Sequence, residues 1–103
     1  VDMKKSPKAI MKPVALNSVQ WTSGFWAERY DQTQKVTLRT LWELACDPEA
    51  GHVIQNFEAA GKREGIHKGT DWQDAWLYKW IEAAASLYKN NPDPWILERM
   101  HAR

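Results

Sequence analysis

With a single cysteine, Cys46, this chain has no internal disulfide and no thiolate cage for a metal. Cys46 falls at an apolar helical position, so the residue pattern predicts a buried structural thiol. Charge of one sign is also lacking: 14 basic residues face 13 acidic ones, for a net charge of +1. A general electrostatic attraction to nucleic acid or to an anionic membrane is therefore not expected. No apolar run approaches the ~20 residues that cross a bilayer. The stretch from Ile10 to Leu16 is too short, and too interrupted by Pro13, for the apolar segment of a secretion signal. Localisation stays open, since a periplasmic protein whose signal has been removed and a cytoplasmic protein read alike. His52, His67 and His101 have no ligand spacing, and the default for each is a solvated or capping role. No metal site is expected in these residues.

What the chain has in quantity is tryptophan, seven in 103 residues, enough to fill a modest core. The richest segment runs from Thr70 to Tyr88. Trp76, Trp80, Ala83 and Leu87 form one stripe at helical spacing. Leu77, Ile81, Ala84 and Tyr88 form the adjoining one, leaving Lys79, Glu82, Ser86 and Lys89 as a narrow polar strip. Such a helix needs cover from two neighbours. Thr70 and Gln73 have the Thr-x-x-Gln spacing of a capping box, and Asp71 and Asp74 lie where the helix dipole favours negative charge.

Residues 1–13, with Lys4, Lys5, Lys8 and Lys12 among Pro and Ser, read as a flexible leader. The alternation from Val14 to Trp21 fits a short strand or extended segment. A long helix follows, with Trp26, Tyr30, Thr33, Thr37, Leu41 and Leu44 on its stripe and Leu38, Trp42 and Ala45 widening it. Asp47-Pro48 ends it, because the residue before proline is pushed out of the helical region. Gly51 to Gly69 reads as a structured loop, within which His52 to Phe57 fits either a helical turn or an extended piece. Its length suggests function. Asp93 offers an N-cap with Pro94 at the first helical position, opening a third helix through Trp95, Ile96, Leu97 and Met100. The fold class is all-α. The third helix has only two to three turns and no glycine or asparagine after Met100, so the pattern predicts the amino-terminal piece of a longer helical domain.

Gly24-Phe25-Trp26-Ala27-Glu28-Arg29 with Thr37-Leu38, then Asn56-Phe57 with Ala59-Ala60-Gly61, then Trp72-Gln73-Asp74 leading into Tyr78-Lys79-Trp80-Ile81-Glu82-Ala83-Ala84, form an ordered set of blocks. In order and spacing they resemble the amino-terminal start of glycoside hydrolase family 127, the beta-L-arabinofuranosidase-like enzymes. The resemblance covers about Val14 to Arg103. It implies the first helices of an (α/α)6 barrel, so that residues 14–103 are an incomplete catalytic domain whose partners are a carbohydrate substrate and the remainder of that domain. It also implies hydrolysis of terminal beta-L-arabinofuranosides or of 3,6-anhydro-galactosides from plant or algal polysaccharides. In arabinofuranosidase members the nucleophile is a cysteine in a zinc site of cysteines and a glutamate, with a second glutamate as general acid. All those positions fall beyond residue 103. Cys46 matches none of them, so the resemblance implies no catalytic residue and no cofactor in this segment, and zinc in the complete enzyme of that type. Many members follow the aspartate matching Asp74 with Ser-Asp, where this chain has Ala75-Trp76, a departure consistent with a divergent substrate.

The candidate substrate-binding residues are Asn56, Trp72, Gln73 and Asp74. Trp72 offers a ring for the C–H face of a sugar, and Gln73, Asp74 and Asn56 offer hydrogen bonds to hydroxyls. Against this stands a structural reading, which the pattern favours. In it Gln73 and Asp74 cap the helix, Trp72 packs in the core, and Asn56 pins the long loop to a helix end. Asp71, Asp74 and Glu82 do not make a catalytic carboxylate pair, since nothing sets two of them across a scissile bond. For Trp26, Trp42, Trp76, Trp80 and Trp95 the expected role is core packing. The alternative function is a stand-alone helical module that binds a protein partner or a carbohydrate.

Overall fold

The computed structural model describes residues 7–8 and 10–101; most of the expected leader, residues 1–6 and 9, and the last two residues lie outside the described residues. Among the described residues the chain is helical, with no strand. The helices are α1 (Phe25–Gln32), α2 (Leu38–Cys46), α3 (Val53–Lys62), α4 (Asp74–Asn90) and α5 (Pro94–His101). Where a short strand or an extended segment was expected, extended backbone runs on either side of a single 3-10 turn, Leu16–Ser18, which packs on α4. Alternation of side chains was present there, but no second strand lies beside it to take up the backbone hydrogen bonds.

α1 and α2 are one continuous helix joined by a π-turn, Thr33–Thr37. Leu38 N–H bonds to the Thr33 carbonyl five residues back. At the entry to the turn, the Thr33 hydroxyl donates to the Arg29 carbonyl at 2.8 Å, a back-bond that bends helices. The buried face differs from the predicted stripe. Leu38, Ala45 and the polar Gln34 are buried, while Trp26 stays 65% exposed and Thr33 and Thr37 face solvent. Gln34 escaped the hydrophobic pattern because its burial depends on a partner 57 residues away: its Nε2 donates to the Asn91 carbonyl at 3.0 Å.

The core gathers Leu38, Trp80, Ala84, Leu87 and Ile96, flanked by Tyr30, Leu41, Trp42, Tyr88 and Trp95. Trp80 is its centre. Its ring lies 4.6 Å from that of Trp42 and 6.5 Å from that of Trp95, and its indole N–H donates to the Leu38 carbonyl at 2.9 Å. Of the tryptophans expected in the core, Trp42, Trp80 and Trp95 are there, Trp76 is half-buried, and Trp26 is not. α5 starts as expected: Asp93 Oδ1 accepts from Trp95 N–H at 2.9 Å. Its other carboxylate oxygen pairs with Arg39 at 2.8 Å, and the Arg39 guanidinium lies 4.5 Å from the Trp95 ring centre.

The segment from Gly51 to Gly69 is not mainly a loop, because α3 occupies ten of its residues and buries Val53 and Ile54. The four-residue turn before it is set by Asp47, whose Oδ1 accepts from the backbone of Glu49 and Ala50 at 2.7 and 3.0 Å. These two bonds hold the Asp47 carboxyl below its ordinary pKa. A Cβ on Gly51 would lie 1.9 Å from the Leu44 carbonyl oxygen, so no side chain fits there. Cys46 is half-buried rather than buried, at the last position of α2, and its carbonyl accepts from Gln55 Nε2 at 2.7 Å. That bond supplies one of the partners that a helix end leaves open.

Candidate functional site

The connection from α3 to α4 builds a groove at the start of α4. α3 closes with paired bonds from Arg63 N–H to Ala60 and from Glu64 N–H to Ala59, 3.2 and 3.1 Å. This is the Schellman arrangement, with Arg63 in the left-handed region (φ 54°) where glycine is usual. The chain then folds back over α3, and Asn56 clasps it: Nδ2 donates to the Lys68 carbonyl at 2.8 Å and Oδ1 accepts from Lys68 N–H at 3.0 Å. His52 Nδ1 lies 3.0 Å from the same Oδ1, which requires the proton on Nδ1. The amide of Asn56 keeps one N–H for another partner.

Gln73 forms the second clasp. Its Oε1 accepts from Thr70 N–H at 3.0 Å, and its Nε2 donates to the Gly51 carbonyl. Only the returning half of the expected capping box is present. The forward bond, at 3.2 Å, runs from Gln73 N–H to the Thr70 backbone carbonyl, not to its hydroxyl. Gly69 is at φ 92° and packs directly against the Gln73 amide, so it accepts no side chain.

Between these clasps lies an open groove of about 210 Å³ lined by Val53, Asn56, Phe57, Ala60, His67, Asp71 and Asp74. Two of the four candidate residues, Asn56 and Asp74, meet in it. Gln73 lies behind the groove as a support. Trp72 is 68% exposed, which corrects the expectation that it packs in the core, and it is not among the lining residues. Asp74 Oδ1 accepts from Ala75 N–H at 2.9 Å, leaving the other oxygen available. The groove also recruits His67, for which spacing alone gave a solvated or capping role, and Asp71. The signal for them was the glycine pair Gly65 and Gly69, both at positive φ, which turn residues 63–69 back toward α3.

Chemically this is a set of acceptors and donors beside the edge of Phe57, which itself meets Tyr78 at 6.1 Å. It suits hydroxyl groups. Asp71 and Asp74 sit three residues apart at one helix start, and nothing in the groove sets them across a scissile bond as an acid and nucleophile pair. Among the described residues no group of three His, Cys, Asp or Glu is placed to hold a metal, so the residues present do not fit the zinc site that the resemblance implies for a complete enzyme. No helix among them is long and apolar enough to cross a membrane.

Comparison with known proteins agrees with the blocks on which the resemblance rests. Residues 18–102 match the family described as beta-L-arabinofuranosidase, GH127 catalytic domain. A non-reducing end beta-L-arabinofuranosidase of Bifidobacterium longum subsp. longum is 31% identical over 94 residues, covering 75% of this chain and 14% of that protein. The chain thus spans about a seventh of the length of the curated relative it matches. No solved structure matches.

Proposed function

Because this chain belongs to the GH127 beta-L-arabinofuranosidase family, we propose that it is the amino-terminal part of an (α/α)6-barrel glycoside hydrolase domain, and that its groove forms part of the sugar-binding rim. The reaction centre lies in polypeptide beyond it. The substrate class is a terminal beta-L-arabinofuranoside or a 3,6-anhydro-galactoside.

One observation carries this reading: Asn56 and Asp74, chosen from sequence for sugar contact, line a single groove, and each retains an unused hydrogen-bonding atom. The uncovered faces support the barrel. Trp26 and Phe25 are 65% and 59% exposed. Exposed apolar surface of this kind marks a face that other polypeptide covers, and in this reading the later helices of the barrel cover it. In this reading Gln73 holds the rim in place, while Trp72 stands beside it as a ring for a sugar face.

The test is a kinetic comparison in the polypeptide that carries this segment with the rest of its domain. Release of L-arabinose from a chromogenic beta-L-arabinofuranoside, or of anhydro-galactose from a red-algal oligosaccharide, is expected. Asp74→Ala is expected to raise KM about tenfold, a loss of one or two hydrogen bonds, with kcat changed much less. A collapse of kcat at unchanged KM would place the reaction centre in this segment. Release of neither sugar, together with cooperative unfolding of the isolated segment as a soluble monomer, would return the chain to the stand-alone module.

A further inference from the structure

His52, which opens α3, suits neither task of its position. Its backbone lies in the left-handed region, φ 53° and ψ 19°, a conformation that glycine adopts freely and a residue with a Cβ does not. It is also the N-cap of α3, where Ser, Thr, Asp or Asn would reach the open amides of the first turn, yet its side chain makes no capping bond. Neither the turn nor the helix end accounts for a histidine.

What the imidazole does is hold Asn56, one helical turn on. Asn56 N–H donates to the His52 carbonyl at 3.2 Å, so the two side chains are neighbours on one face, and His52 Nδ1 donates to Asn56 Oδ1 at 3.0 Å. Lys68 N–H donates to the same oxygen, and the Lys68 carbonyl accepts from Asn56 Nδ2. A carbonyl oxygen has two lone pairs and an amide nitrogen two hydrogens, so these bonds fill the acceptor side of Asn56 and leave one N–H. To a ligand, Asn56 can then only donate.

The bonds to Lys68 and the bond from His52 are not equivalent. Those to Lys68 are open to water and belong to chain that has turned back over α3, whereas the bond from His52 is partly buried. His52 is anchored from behind. Its N–H donates to the Asp47 carbonyl at 2.8 Å, and the next residue, Val53, is 1% exposed. A donor-only amide complements the rest of the groove, because the carboxylates of Asp71 and Asp74 accept. A sugar hydroxyl, which both accepts and donates, answers both.

We propose that His52 is the positioning residue of the rim: by taking the second lone pair of Asn56 Oδ1, it fixes the Asn56 amide as a dedicated hydrogen-bond donor to a sugar hydroxyl. The proposal rests on the reading of this groove as part of a sugar-binding rim.

His52→Gly and His52→Asn separate this role from that of the turn, in the polypeptide that carries this segment with the rest of its domain. Glycine suits the left-handed backbone but brings no donor; asparagine tolerates that backbone and carries Nδ2 where histidine has Nδ1. With the chromogenic beta-L-arabinofuranoside or the red-algal oligosaccharide as substrate, His52→Gly is expected to raise KM about threefold, the share of one hydrogen bond. Its kcat is expected to change much less, and its unfolding midpoint to stay close to the parent's. His52→Asn is expected to bring KM back to within about twofold of the parent. In an Asn56→Ala background the glycine change is expected to add nothing further to KM, since the two residues act as one unit. An unchanged KM in His52→Gly, an asparagine variant no better than the glycine one, or effects of His52→Gly and Asn56→Ala that multiply, overturns the proposal. If Asp74→Ala raises KM while His52→Gly does not, this inference falls and the rim stands. If the parent releases neither sugar, the rim reading falls and takes this one with it.

Discussion

The α2, α4 and α5 packing around Trp80 and the α3 rim are held together by different physics. Around Trp80 the helices bury large side chains, with Ile96 and Ala84 at 0% exposure and Trp80 and Leu38 at 3%, and one indole bond is added to that area. The rim relies on short polar side chains bonded to distant backbone: Gln55 to Cys46, Asn56 to Lys68, Gln73 to Gly51. Apolar burial is non-directional and tolerates small shifts, whereas these amide clasps fix positions to within a hydrogen-bond length. A rim built the second way suits a surface that must present Asn56 and Asp74 in a defined geometry.

The largest expected effect therefore belongs to the apolar half. Trp80→Ala empties the centre of the core and removes the indole bond to the Leu38 carbonyl, costing about 3–5 kcal/mol. Chemical denaturation checks it, with hydrogen exchange of α4 showing where protection is lost. If α3 loses protection as much as α4, the two regions unfold as one unit and the contrast between them disappears. Gly51→Ala comes next, at about 1–3 kcal/mol for forced overpacking. Its Cβ would meet backbone, the Leu44 carbonyl, which cannot rotate aside. Exchange is expected to rise first at Asp47–Asn56 and least around Trp80.

Asn56→Ala cuts the rim clasp at its most exposed point, and about 1 kcal/mol is expected for the two bonds to Lys68, both accessible to water. Proteolysis within residues 63–69 is the sensitive readout, with faster cleavage expected. A comparable gain is expected from Gly61→Ala, about 0.5–1 kcal/mol of added stability. A Cβ at Gly61 meets nothing within 4 Å, so the helix loses a flexible residue at no steric cost.

The same contrast explains what the sequence made legible. Helical spacing of Trp80, Ala84, Leu87 and Ile96 exposed the apolar half directly, and the Asp93-Pro94 cap and the Asp47-Pro48 stop fell where local chemistry put them. The loop reading of residues 51–69 and the buried position of Trp72 failed for one reason. Each depended on which distant group would pair with, or cover, a segment, and periodicity carries no such information. Gln34 is the sharpest case, a polar residue in the core for the sake of a carbonyl 57 residues on. Of the site, Asn56 and Asp74 were legible as residue types; their convergence with His67 and Asp71 arose only when Gly65 and Gly69 turned the chain.

The smallest expected effect is a pH dependence, and it belongs to the polar half alone. Asp47 is fully exposed, and its carboxyl is held below the ordinary value of 3.8 by backbone N–H donors, Ala50 first and Glu49 second. A lowered folded pKa means that the ionised form favours the folded chain. Its contribution is complete above the unfolded pKa and is lost as the pH falls through the folded one. As the pH falls below the ordinary carboxylate value of about 4, the turn joining α2 to α3 is therefore expected to loosen, with faster exchange at Glu49 and Ala50 while the amides near Trp80 hold. In Asp47→Asn the side-chain oxygen still accepts those bonds but carries no charge, so the acid-side slope at these two amides is expected to flatten. An unchanged slope would mean that another carboxylate sets the acid response, and the turn would then owe its geometry to Gly51 and its packing against Leu44 rather than to Asp47.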